Sequence, residues 1–228
     1  MKIEIWSDIA CPYCYIGFVH LQNALREFKG EKPDLILRSF ELEPDIASNS
    51  GETQHMAVMR KYYQSRVQAQ QTLDGAVRAG NAAGVVIDFD KVVTTNTFHA
   101  HRLIHFAHTL GRGLEMKERL FRAFFTEGLH IGDKSVLTRI AAGMGIDARE
   151  VMEGDQYSEE VRKDERAAQY MQLRSVPYFL FDKKYAISGA QPVPAFLELL
   201  DQIGAAEQLK QIDAGSNTVG CDGGSCTI

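Results

Sequence analysis

Long apolar runs are missing from this sequence. No stretch approaches the eighteen or so residues that a membrane-spanning helix requires, so no membrane partner is expected. Basic charge is not in excess either: Lys and Arg total 25 against 30 Asp and Glu, a formal charge of −5. A chain this mildly acidic lacks the global electrostatic footprint of a nucleic-acid binder. Residues Met1 to Trp6 alternate polar and apolar side chains and run straight into a cysteine pair. A secretory leader would need an apolar run and a small-residue cleavage site there; with residue 1 as the natural start, the expected location is the cytoplasm. Cysteine is scarce, four in 228 residues. A chain of this length buries about 70% of its unfolded surface and needs no disulfide scaffold. In a reducing compartment any disulfide is expected to be catalytic rather than structural.

What is present spells an α/β chain. Lys2 to Trp6 reads as a strand with Ile3 and Ile5 on one face, and Pro12 suits the first position of a helix ending near Gly30. Leu35 to Phe40 is a second strand, completing β-α-β. The middle is helical. Met56, Met59, Tyr62, Tyr63 and Val67 follow helical spacing, and Asn96, Ser135, Asp147 and Ser158 are cap candidates for later helices. Tyr178 to Phe181 is an apolar run suited to a buried strand. The turn Asp182-Lys183-Lys184 leads to a return strand, and a helix over Pro194 to Ile203 closes the order. Beyond about Asp213 the chain is Gly-rich and polar and reads as a flexible tail.

The chemical signal is Cys11-Pro12-Tyr13-Cys14. A C-x-x-C beside a β-α-β pattern points to redox chemistry. A thiol at a helix N-terminus faces unpaired N–H groups and the positive end of the helix dipole, and both favour thiolate. Cys11 is therefore the expected exposed nucleophile, and Cys14, one turn inward, the buried resolving thiol. Zinc binding by Cys11, Cys14, Cys221 and Cys226 is the rival. No metal knuckle needs proline after its first ligand at a helix start, however, and the two pairs lie at opposite chain ends. No metal site is assigned.

The segments Ser7 to Gly17, Val176-Pro177-Tyr178-Phe179 and Ile187 to Pro192 resemble DsbA-family thioredoxin-fold oxidoreductases, in particular the FrnE-like branch. Weaker matches are His101-Arg102-Leu103 and Phe124-Phe125 with Gly128 and Ile131. The resemblance implies a thioredoxin-like fold split by a large all-helical insertion: residues 1–48 and 160–212 form the thioredoxin-like unit, 49–159 the insertion and 213–228 the tail. It also implies that Pro177 is cis beside the C-x-x-C, and that the Val176 backbone pairs with substrate as an added strand. Pro12 and Tyr13 then contact substrate and tune the reduction potential.

Cys221 and Cys226 enclose Asp-Gly-Gly-Ser, a spacing that permits a tight disulfide. On a mobile tail the pair would serve as an auxiliary redox relay for Cys11 and Cys14, and some FrnE-like members carry a similar pair. His101, His105 and His108 share a helix face but are expected to be a polar or packing face rather than a metal site. Asp8 has two readings, proton acceptor for Cys14 or cap of the turn before Cys11. Trp6, Phe124, Phe125, Met56 and Met59 are expected in the core. The expected function is thiol–disulfide exchange or isomerisation on protein thiols and disulfides. It needs no cofactor, and glutathione or a thioredoxin system is the candidate redox partner. The alternative is a glutathione-dependent isomerase or transferase of the kappa type, such as a 2-hydroxychromene-2-carboxylate isomerase. Those enzymes usually place Ser where Cys11 stands here.

Overall fold

A computed structural model describes the backbone of residues 1–216 and the side chains up to residue 206. The alternation at the N-terminus becomes β1 (Lys2–Ser7), followed by α1 (Pro12–Glu27) and β2 (Asp34–Ser39). β3 (Tyr178–Phe181) and β4 (Tyr185–Ser188) complete a four-stranded sheet in the order β2-β1-β3-β4. β2 lies parallel to β1, and β3 antiparallel to β1 and to β4. The β3–β4 turn puts Asp182 and Lys183 at positive φ, 47° and 57°, the handedness that a tight hairpin favours.

The two sheet faces differ chemically. One carries Ile3 and Ile5 opposite Phe181 and Phe179. It packs on α1 and on α9 (Val193–Ser216), where Phe196 meets Phe179 edge-on with ring centres 4.9 Å apart. The other face carries Glu4, Trp6 and Arg38 and receives α8 (Ser158–Tyr170). Trp6 Nε1 donates to the Asp164 carbonyl at 3.2 Å, while Arg38 bridges Glu4 at 2.6 Å and Asp164 at 2.9 Å. Trp6 is accordingly core.

Between β2 and α8 lie six helices: α2 (Gln54–Tyr62), α3 (Arg66–Ala82), α4 (Phe98–Thr109), α5 (Gly113–Phe125), α6 (Lys134–Gly143) and α7 (Arg149–Glu153). Aromatic stacking fixes this block on α1. Phe121 of α5, fully buried, lies 4.9 Å from and nearly parallel to Tyr15, and Phe18 meets it at a tilt with ring centres 6.0 Å apart. On α4, buried Arg102 donates to the carbonyls of Val151, Gly154 and Gln156, gathering the end of α7 and the following loop.

Several sequence expectations need correction. The helical spacing from Met56 to Val67 is broken in two. Tyr63 takes φ 52° and Ser65 starts α3 with a capping box to Gln68. Met56 is not core but 55% exposed, because α2 buries Ala57 instead. The side chain capping α6 is that of Asp133, not Ser135, and Tyr157 rather than Ser158 precedes α8. Asn96 does accept from the Phe98 N–H at 2.9 Å and Asp147 from the Arg149 N–H, each at a helix entry. The last helix runs on to Ser216, so the first residues of the expected tail are helical. Cys221 and Cys226 lie outside the described residues. Among the described residues, no helix is long and apolar enough to cross a membrane.

Candidate active site

Cys11 is the N-cap of α1, with extended φ and ψ of −96° and 114°, and Pro12 occupies the first helical position. The turn Ser7 to Ala10 presents it: the Cys11 N–H donates to the Asp8 carbonyl at 3.2 Å, and the Cys11 carbonyl accepts from Cys14 and Tyr15. Both thiols are free. Cys14 is 1% exposed and Cys11 6%. The expected order of burial is present, but Cys11 is not the exposed group that its position suggested. Its access is through a cleft of about 150 Å³ between the start of α1 and the helices α2 and α3. Leu42, Ile46, Val58, Leu73 and Phe89 line this cleft, together with Tyr13, which is 44% exposed.

Val176 and Pro177 arrive from the chain leading into β3. The Val176–Pro177 peptide is cis, and the Cys11 thiol donates to the Val176 carbonyl at 3.8 Å. Gly17 makes room for the proline: a Cβ there would lie 3.0 Å from Pro177 Cγ and 3.3 Å from the Ala190 Cα. Among the described residues, the Val176 N–H donates to no backbone carbonyl. Cys11, Cys14, Pro12, Tyr13, Val176 and Pro177 thus come together at one end of the sheet.

Burial pushes the Cys14 thiol well above its ordinary value, and the nearby Cys11 and the Asp8 charge push the same way. The backbone of Asp8 opposes them. Asp8 is itself buried. Its carboxylate accepts from the N–H groups of Ala10 at 3.2 Å and Leu42 at 2.7 Å and faces His101 Nε2 at 3.5 Å. Burial raises its pKa, but His101 and these donors outweigh that and hold it below the ordinary carboxylate value. Of the two readings of Asp8, the geometry favours the turn cap, since a carboxylate held this low is a weak proton acceptor.

The α4 histidines face separate partners. His101 meets Asp8, whereas His105 Nε2 lies 3.0 Å from Ser39 Oγ and 3.2 Å from Asp164. They form a polar seam between the insertion and the sheet. Sequence reasoning missed Lys117. It is 1% exposed, bonded to Ser7 Oγ, and burial lowers it to about 8 against the opposing charges of Cys14, Asp8 and Asp164. Its signal was legible. Lys117, Leu120, Phe121 and Phe124 mark one buried stripe of α5, and a lysine there sits where a core side chain belongs.

A sheet of this topology with a thiol pair at the start of its first helix defines a thioredoxin-type fold. The chain belongs to the DSBA-like thioredoxin domain family, which it matches over residues 2–201. A probable DsbA oxidoreductase of Streptomyces coelicolor is similar in structure, with a TM-score of 0.83 at 35% identity and 89% of each chain covered. The cytosolic disulfide reductase DsbM of Pseudomonas aeruginosa shares the fold at a TM-score of 0.61 and 17% identity, over 92% of this chain and 98% of that one. YwbO of Bacillus subtilis (strain 168), an uncharacterized protein, is 28% identical over 79% of this chain and 86% of its own length.

Proposed function

We propose that this protein catalyses thiol–disulfide exchange on protein substrates, with Cys11 attacking and Cys14 resolving. The observation that carries this reading is the graded placement of the two thiols. Cys11 caps α1 and faces the cleft and the Val176 carbonyl, while Cys14 lies one turn behind it, sealed from solvent. Cys11 as thiolate attacks one sulfur of a substrate disulfide. A mixed disulfide forms, and the other substrate sulfur leaves as thiolate. Cys14 then attacks Cys11 Sγ and releases the remaining substrate thiol. The Cys11–Cys14 disulfide holds the two electrons' worth of oxidation that the substrate has lost. Run backward, the same steps oxidise a dithiol. An extended substrate segment pairs with the Val176 N–H, and apolar side chains enter the cleft beside Tyr13.

Cys14→Ser tests this. It is expected to leave covalent adducts on Cys11 that a thiol reductant releases, and the captured species name the substrate class. No adduct with any protein or glutathione would refute the reading. Glutathione as the sole captured thiol would favour the kappa-type alternative, whose fold this chain shares with a 2-hydroxychromene-2-carboxylate isomerase at a TM-score of 0.63. The proposed location is the cytoplasm, with glutathione or a thioredoxin system returning Cys11 and Cys14 to their working state. Cys221 and Cys226 are proposed to relay electrons to the site. Truncation before Gly220 is then expected to slow turnover with an external reductant, and an unaltered rate would end that part of the proposal.

A further inference from the structure

Resolution by Cys14 poses a proton problem that the two thiols alone leave unsolved. The sulfur must ionise in a dry core beside the Asp8 carboxylate, and a second negative charge there is costly. Asp8 is poorly placed to take the proton, because the Leu42 and Ala10 N–H groups already bond its oxygens as a carboxylate and His101 lies 3.5 Å away. One other buried titratable group reaches the same stretch of backbone. Lys117 Nζ, as buried as Cys14, bonds Ser7 Oγ, and the next residue, Asp8, takes the Cys11 N–H on its carbonyl, while the Cys11 carbonyl takes the Cys14 N–H. We propose that Lys117, supplied by the helical insertion, is the positioning residue that holds the proton Cys14 gives up in the resolving step.

This inference rests on the thiol-exchange reading. A neutral Lys117 amine and the Cys14 S–H become an ammonium and a thiolate, so the core gains an ion pair and no net charge. The thiolate attacks Cys11 Sγ, the Cys11–Cys14 bond forms, and the substrate sulfur leaves with its electron pair and takes a proton from solvent. Lys117 later returns its own proton to solvent. Lys117 bonds Ser7 at the end of β1 and feels the charges of Cys14 from α1, Asp8 from the turn after β1, and Asp164 from α8. His101 and His105 of α4 face these two carboxylates in turn. With its value lowered to about 8, the amine is neutral often enough at working pH to accept a proton.

The test uses the reduced full-length protein carrying Cys221→Ser and Cys226→Ser, which leaves Cys11 and Cys14 as its two thiols, and the aromatic disulfide dithiobis(nitrobenzoate). Attack by Cys11 releases one coloured thiolate, and resolution by Cys14 releases a second, so the two steps separate in a stopped-flow trace. In Lys117→Met the first release is expected to stay within about twofold of the parent. The second is expected to slow by roughly a hundredfold and to lose its ionisation near pH 8. Lys117→Arg keeps the charge but takes up no proton at these pH values. It is expected to lose the same ionisation, and it carries the test if the Met variant fails to fold. A folded variant that resolves at the parent's rate and with the parent's pH profile would overturn the proposal. So would equal slowing of both releases, the mark of a merely structural lysine. A parent that shows no first release would instead refute the assignment of Cys11.

Discussion

Burying Lys117 has a thermodynamic consequence that can be measured without any turnover. Its pKa falls from 10.5 to about 8 in the folded protein, a differential of roughly 3 kcal/mol between the charged and neutral amine. The sign follows from proton counting. Between pH 8 and 10.5 the unfolded chain holds a proton on Lys117 that the folded chain has released, so stability rises with pH across this window. Below pH 8 both states are protonated, and the fold carries the whole penalty of the buried ammonium. Lys117→Met should therefore be more stable than its parent at pH 7, by up to about 3 kcal/mol less the lost bond to Ser7, about 1 kcal/mol. The advantage should shrink as pH climbs to 10.5. Urea unfolding at a series of pH values, with both proteins in a Cys14→Ser background, removes the thiol that titrates beside it. Parallel stability curves from pH 7 to 10.5 would refute the depressed amine and the reasoning built on it.

Gly17→Ala sets about 1 kcal/mol of helix propensity against overpacking of roughly 1–3 kcal/mol. The new Cβ would press on the Pro177 ring at 3.0 Å and on the Ala190 backbone, so a net loss of about 1 kcal/mol in urea unfolding is expected. A neutral or stabilising substitution would show that the close approach is slack. Glu41 is raised to about 7 by burial and by the neighbouring Glu165 carboxyl, against the pull of Arg162. A raised acid contributes stability that is complete below its ordinary 4.5 and lost as pH climbs through 7. Glu41→Gln should consequently flatten the thermal midpoint between pH 5 and 8 and exceed the parent above pH 7. An unchanged slope would place the titration elsewhere.

The local pieces of the fold were legible because period and chemistry agree in them. Ile3 and Ile5 alternate as a half-buried strand must, Pro12 opens a helix whose first N–H groups need no partner, and Tyr178 to Phe181 is apolar enough to pair as an inner strand. The breaks were less legible. Tyr63 pairs left-handed backbone with a bulky side chain, and no propensity rule places a chain break there. The burial of Cys11 was hidden for a different reason. Its cover comes from the helices that line the cleft and from the Val176 carbonyl, more than 160 positions away, and local pattern carries no distance of that kind.

The same separation explains why the site is read only in part from its motif. The Cys11-Pro12-Tyr13-Cys14 segment supplies two sulfurs and a helix end, but the buried polar groups beneath them come from three further elements. Asp8 closes the turn after β1, His101 descends from α4, and Lys117 comes from α5. Two of these belong to the helical block, so that block does more than roof the sheet. Stacking of Phe121 on Tyr15 locks α5 against α1, and this contact carries Lys117 to the end of β1. A C-x-x-C on a bare thioredoxin sheet would lack the buried lysine that α5 brings to the end of β1. On the proposed resolving step, the chemistry of the second thiol depends on that block, through a stripe of α5 where one lysine replaces a hydrocarbon side chain.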